Sequence, residues 1–174
     1  MVVADSYTGW SADEAVTRLF AAHYQGLVRL ATLLLRDSAV AEEIVQDAYV
    51  QLHARWRKLN DTDKALAYLR TAVVNRSRSA LRHRAVVERF VARSTAAPDA
   101  PSAEAGAIER LRQNAVVATL ATLPPRQREA LVLRYYADLS EAEIAETMGC
   151  SRGAVKSHTA RGLASLRAQT EHWS

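Results

Sequence analysis

Cysteine is nearly absent from this 174-residue chain: Cys150 stands alone, so no disulfide can form within the chain and no multi-cysteine zinc site can be assembled from it. Glycine and proline are scarce, at six and four residues, which leaves few places where a regular element must stop. No stretch approaches the roughly 18 uninterrupted apolar residues of a membrane span. The start, Met1 to Trp10, lacks the basic head and apolar run of an export signal, so the expectation is a protein that stays in the cytoplasm. His23, His53, His83, His158 and His172 are scattered, none in a metal-ligand pattern such as HExxH, and there is neither a P-loop nor a GxGxxG. The expectation is therefore no catalytic set, no metal, no cofactor and no enzyme.

What is present is 49% hydrophobic residues, much of it alanine, with 24% charged, the composition of a folded and helix-rich protein. The length allows one medium domain or two small ones. The net charge of +4 is modest but uneven, since residues 63–93 hold eight basic side chains against two acidic ones. One short segment thus carries most of the attraction for a polyanion, unless that surface is simply solvated.

Apolar periodicity divides the chain. Ser11 and Glu14 form a capping box, after which Val16, Leu19, Phe20, Leu27, Ala31 and Leu34 mark a helix to about Leu35. Asp37 or Ser38 caps a second, in which Val40, Ile44, Ala48, Leu52 and Trp56 share one face. The opposite surface is acidic and polar through Glu42, Glu43, Gln46, Asp47 and Gln51. After the polar break RKLNDTD at Arg57 to Asp63, Leu66, Leu69, Val73, Ala80 and Leu81 mark a third helix. Arg70, Arg76, Arg78, Arg82, Arg84 and Arg89 occupy its other faces, among Asn75, Ser77 and Ser79.

Ala92 to Ala107, with Pro98 and Pro101, reads as a flexible linker. A helix ending at Leu123 follows, then one opened by Pro124 and Pro125 that runs through Tyr136. Ser140 and Glu143 form a second capping box, Gly149 stops that short helix, and Ser151 caps the last one. In the last helix Val155, Leu163 and Leu166 are expected inside, with Arg152, Lys156, Ser157, Thr159 and Arg161 outside. Cys150 is expected to be a small buried apolar residue. The fold expected is all-α, two helical domains at 13–91 and 108–170 joined by a linker at 92–107.

The segment SEAEIAETMGCSRGAVKSHTARGLASLR has the plan of a helix-turn-helix: small Ala145 where two helices cross, Gly149 at the turn, Ile144 and Val155 as apolar supports. A second helix held this way can lie in the major groove, with Ser151, Arg152, Gly153, Lys156 and Ser157 at its leading end. An ordinary helical hairpin would share the spacing but has no need of basic, small, exposed residues. The arginine-rich third helix fits phosphate neutralisation and polar base contact.

Three segments, AEEIVQDAYVQLHARW, ALAYLRTAVVNRSRSALRHR and LPPRQREALVLRYYADLSEAEIAETMGCSRGAVKSHTARGLASLR, resemble the sigma-70 family, specifically its extracytoplasmic-function (ECF) group and a SigE-like branch, across roughly residues 14–170. The resemblance implies an RNA polymerase sigma factor whose region 2 docks on the beta-prime clamp helices through Gln46 and Asp47. It implies recognition and melting of the minus-ten element by Asn75, Arg76, Ser79 and Arg82, with the Arg57 to Asp63 loop receiving a flipped base. Region 4 would read the minus-thirty-five element through Ser151, Arg152, Gly153, Lys156, Ser157 and Arg161 and meet the beta flap. No ATP is implied; an anti-sigma factor is. Many members carry Asp where this chain has Ser79, which leaves the minus-ten preference open.

A stand-alone regulator with a LuxR-like output domain is the alternative, and it leaves residues 40–90 unexplained. A small nuclease would need a carboxylate metal site beside the basic helix, and a pure protein-interaction module would not need two basic faces.

Overall fold

The computed structural model describes residues 9–59, 64–93 and 115–171, and among them every regular element is helical. α1 (Ala12–Leu35) begins at a complete capping box: Glu14 N–H donates to Ser11 Oγ at 3.3 Å and Ser11 N–H to Glu14 Oε2 at 2.9 Å. It ends at Arg36, which is left-handed at φ 60°, an arrangement costing an L-residue about 1 kcal/mol. α2 (Ser38–Arg55) is capped by Asp37, whose carboxylate accepts from Val40 N–H, and runs into a single 3-10 turn, Trp56–Lys58. α3 (Ala65–Val91) completes a three-helix bundle with α1 and α2.

The bundle core follows from the apolar spacing. Leu19, Leu27, Leu30, Leu34, Ile44, Ala48, Leu52, Trp56, Leu69 and Val73 are buried, each fully buried leucine contributing roughly 2 kcal/mol. The stripe expected on α2 is wider than fourfold spacing suggested, because Ala41, Val45 and Tyr49 join it, while Val40 sits at its margin. Phe20, expected inside, is 43% exposed and stacks on Tyr24 at 4.2 Å. Leu66, Ala80 and Leu81 are half-buried, and the last turns of α3 leave Val86 and Phe90 exposed.

The second group of helices starts within the described residues at 115–121 (α4). α5 (Pro125–Leu131) has proline at its first position, where a missing N–H costs nothing, and widens into a π-helical turn, Val132–Tyr136, closed by Ala137 N–H to Val132 O at 3.1 Å. α6 (Glu141–Met148) has its own capping box from Ser140 and Glu143 and stops at Gly149, left-handed at φ 64°. α7 (Arg152–Glu171) starts where Ala154 N–H donates to Ser151 Oγ at 3.1 Å. It crosses α5 at Gly162, where a Cβ would lie 2.8 Å from Leu131 Cδ1.

The two groups meet. Residues 94–114, which hold most of the expected linker, lie outside the described residues, yet the helices on either side pack together along a seam between α1 and α3 on one side and α5, its π-turn and α6 on the other. Arg128 supplies much of the seam: 8% exposed, it donates to Leu120 O, Ala121 O and Leu123 O in its own group and to Leu34 O, at 2.7 Å, across it. Helix ends leave carbonyls unsatisfied, and one guanidinium here serves two of them. Arg128→Met would strand the carbonyls of Leu34, Ala121 and Leu123, Leu120 O keeping its bond from Leu123 N–H, and is expected to lower stability by at least about 3 kcal/mol in urea denaturation. A loss below about 1 kcal/mol would mean that water replaces the guanidinium without cost.

Candidate nucleic-acid interface

α6 and α7 form the helix-turn-helix. Ile144, Met148 and Val155 are fully buried at the crossing, with Ala145 at 8%. Ser151, Arg152, Gly153, Lys156, Ser157 and Arg161 are all exposed. Arg152 and Lys156 form one row at a spacing of four, and Gly153, Ser157 and Arg161 the neighbouring row, so all five belong to a single surface. The free N-terminal amides of α7 add a partial positive charge at its leading end. Lys156 Nζ lies 3.8 Å from Glu141, which also pairs with Arg134 at 3.5 Å, so an acidic side chain flanks the basic rows.

Two expectations for α7 need correction. Thr159, expected outside, is 6% exposed, because the face carrying Val155 and Gly162 passes through it; its hydroxyl has no hydrogen-bond partner among the described residues. Leu163 and Leu166, expected in the core, are half-buried and line an apolar groove of about 890 Å³ with Leu33, Val116, Leu120 and Tyr135. Thr159 lies on the face that Gly162 presses against α5, whereas Leu163 and Leu166 face the groove. Cys150 is half-buried against the core.

On α3, Asn75, Ser79 and Arg82 are exposed and lie one turn apart, with Arg82 Nη2 donating to Ser79 Oγ at 3.2 Å. Arg76 is half-buried and pairs with Asp47 at 3.5 Å. Gln46 and Asp47 are exposed, Gln46 Nε2 reaching Tyr24 OH at 3.4 Å. The structure thus joins the α3 polar row to the acidic face of α2. Between them lies an open depression of about 340 Å³, lined by Gln51, Arg55, Tyr68, Asn75, Arg76 and Ser79. Gln51 and Arg55 were not singled out together by sequence. Their spacing of four was visible, but nothing local says that their face adjoins Tyr68 on another helix.

The remaining arginines of α3 do not share that face. Arg78 binds Glu129 of α5 through two hydrogen bonds, Nε to Oε1 at 3.0 Å and Nη2 to Oε2 at 2.9 Å, and this pairing holds its pKa above the ordinary value. Arg84 donates to Leu35 O at 3.0 Å and approaches Asp37 at 3.4 Å. Arg70 is half-buried, and burial lowers its pKa. Arg82 and Arg89 remain exposed on α3. Expected as one basic stripe, the segment is divided between an outer polar row and structural pairs, because a helix this long meets different neighbours on different sides. Of the Arg57 to Asp63 loop, residues 60–63 lie outside the described residues, while Arg57 and Lys58 are exposed.

The carboxyl of Glu143 accepts from Ser140 N–H at 2.8 Å, and that backbone bond, followed by the Ser140 hydroxyl, holds its pKa below the ordinary 4.5. Its stabilisation is complete above the unfolded value and is lost as pH falls through the lower folded one. Glu143→Gln should therefore lower the thermal midpoint at neutral pH and flatten its fall below about pH 4.5. A variant that keeps the wild-type acid limb would show that this cap does not support the helix-turn-helix.

A family model described as sigma-70 region 2 matches residues 19–86, and one described as sigma-70, region 4 matches residues 113–166. The chain is 33% identical over 145 residues to an RNA polymerase sigma-E factor of Streptomyces avermitilis, covering 83% of this chain and 79% of that protein. It is 31% identical over 163 residues to the ECF RNA polymerase sigma factor SigL of Mycobacterium tuberculosis, covering 90% of each. In fold it is similar to CnrH, solved in complex with the cytosolic domain of CnrY, with a TM-score of 0.69 at 23% identity over 98% of this chain and 99% of that one.

Proposed function

Because the chain belongs to the sigma-70 family of RNA polymerase sigma factors, and to its ECF group, we propose that it binds core RNA polymerase and directs promoter-specific initiation by reading minus-ten and minus-thirty-five elements. The observation that carries this reading is the α7 surface: six residues suited to bases and phosphates, all exposed, on a helix whose opposite face is buried. Residues 13–91 are the region 2 unit, 92–107 the linker and 108–170 the region 4 unit.

In this reading Arg152, Lys156 and Arg161 meet phosphates or guanine edges, while Ser151, Gly153 and Ser157 permit close approach to the major groove. Asn75, Arg76, Ser79 and Arg82 face the minus-ten element. Extracting a base from the duplex costs a few kcal/mol, and stacking on an aromatic ring beside arginines offsets it. The depression holding Tyr68 and Arg55 beside Asn75 suits an unstacked base. Gln46 and Asp47 dock on the beta-prime clamp helices, and apolar surface of region 4 meets the beta flap. No ATP enters. The protein works in the cytoplasm, at the nucleoid when bound to polymerase, and is controlled by an anti-sigma factor; a similar fold, the sigma factor RpoE of Bartonella quintana, was solved in complex with the anti-sigma factor NepR, which supports a partner of that kind.

Run-off transcription with core polymerase from an actinobacterium tests the reading. New start sites that appear only when the protein is added support it, whereas duplex binding without polymerase association favours a stand-alone regulator. Lys156→Ala should weaken minus-thirty-five binding similarly across sequences and reduce the salt slope by about 1, while Arg152→Ala, if it reads a guanine, should cost about 1–3 kcal/mol at one position. Asp47→Ala should weaken core-polymerase binding and leave duplex binding by region 4 intact. Unchanged polymerase affinity would remove the clamp assignment.

A further inference from the structure

The seam between the two helical groups is polar where it is most specific. Glu129 on α5 is 3% exposed and receives Arg78 of α3 through two parallel hydrogen bonds and Arg126 of its own helix at 2.9 Å. Arg126 is itself fixed, donating to Met148 O at 3.1 Å. A paired fork of this kind is sensitive to geometry, and a lysine or a displaced guanidinium cannot reproduce it. Beside it Ser77 is 1% exposed, while Asn75 and Ser79 on the outer side of the same helix stay open to solvent. Arg78 Nη1 also reaches Asn75 Oδ1 at 3.4 Å, which links the pair to the row proposed to face the minus-ten element.

The closed arrangement cannot serve both DNA elements together. Elements centred 25 steps apart lie about 85 Å apart along a duplex, at about 3.4 Å per step. A compact chain of this length has a radius of gyration of about 16 Å, a body about 40 Å across. Engagement of both elements therefore requires the seam to part. The pair is suited to parting, because a charged pair that separates regains water on both partners, which an apolar contact does not.

We propose that the Arg78–Glu129 pair is an autoinhibitory latch that keeps the free protein closed and limits its capture by polymerase and promoter. The inference rests on the reading of the chain as a factor with two DNA-facing surfaces. Neither Arg78 nor Glu129 is among the residues assigned to DNA or polymerase, and Glu129, which makes no contact with Asn75, provides the substitution that leaves the minus-ten row untouched. The closed form lowers apparent affinity by the fraction of molecules that are open, and releasing it restores that fraction.

The test uses the full chain and reads closure without DNA or polymerase. Small-angle scattering at low salt should give a compact wild type and a radius of gyration larger by several ångströms for Arg78→Gln, with Arg78→Lys between them. Core-polymerase affinity should rise about tenfold for Arg78→Gln if about nine in ten wild-type molecules are closed. Glu129→Gln breaks the pair from the other side and must open the protein in the same way; circular dichroism establishes that each variant is folded. Wild-type dimensions and affinity in folded Arg78→Gln would overturn the latch, as would opening in only one of the two variants. If both variants open while neither they nor the wild type supports transcription, the latch holds and the sigma reading fails.

Discussion

Two adjacent residues of α5, Arg128 and Glu129, carry most of the polar contact between the described helical groups. Arg128 and Glu129 are both nearly inaccessible, and a charge removed from water costs several kcal/mol unless it is fully hydrogen-bonded. Arg128 meets that demand with four backbone carbonyls, one of them at the C-terminal end of α1. Glu129 meets it with two guanidinium groups, one from each group of helices. Burial lowers the pKa of Arg128 while the Glu129 beside it raises it, so each member of the pair is more tolerable because the other is present.

This arrangement assigns different physical jobs to the bundle and the seam. The α1–α3 bundle is held by close-packed leucines, valines and alanines, whose separation would expose apolar surface. Across the seam, directional bonds set the register: Arg128 to Leu34 O, Arg78 to Glu129 and Tyr136 OH to Gly26 O at 3.2 Å. Hydrogen bonds that can be exchanged for water contribute about 1 kcal/mol each, so together they set an orientation and hold it by a few kcal/mol.

The electrostatics follow the same division. Eight basic residues in one segment suggested a continuous polyanion surface, yet Arg78 and Arg84 are committed to structural partners and Arg70 is half-buried. Lys64, Arg82, Arg89 and Arg93 remain exposed, Arg82 in a short polar row with Asn75 and Ser79 beside the depression at Tyr68. The α7 surface differs: each of its assigned residues is exposed. Its supporting face contains only small or apolar groups and Thr159, so no basic side chain is drawn inward there.

Much of the chain was legible from its residues. Both capping boxes, the Asp37 cap, the proline start of α5 and the Gly149 stop are where local chemistry puts them, because a cap involves atoms three or four residues apart. The helix-turn-helix, its exposed basic rows and the family resemblance were legible for the same reason, and the family models match both units. The assignment of individual arginines was not. Arg78 meets a carboxylate 51 positions away and Arg128 a carbonyl 94 away, distances over which a helical period carries no information. Periodicity tells which face of a helix is apolar; only the tertiary structure decided which neighbour each polar face meets. A guanidinium on a long stem can serve a phosphate, a carboxylate or a helix end equally well, so its use is settled by the surroundings and not by its own chemistry.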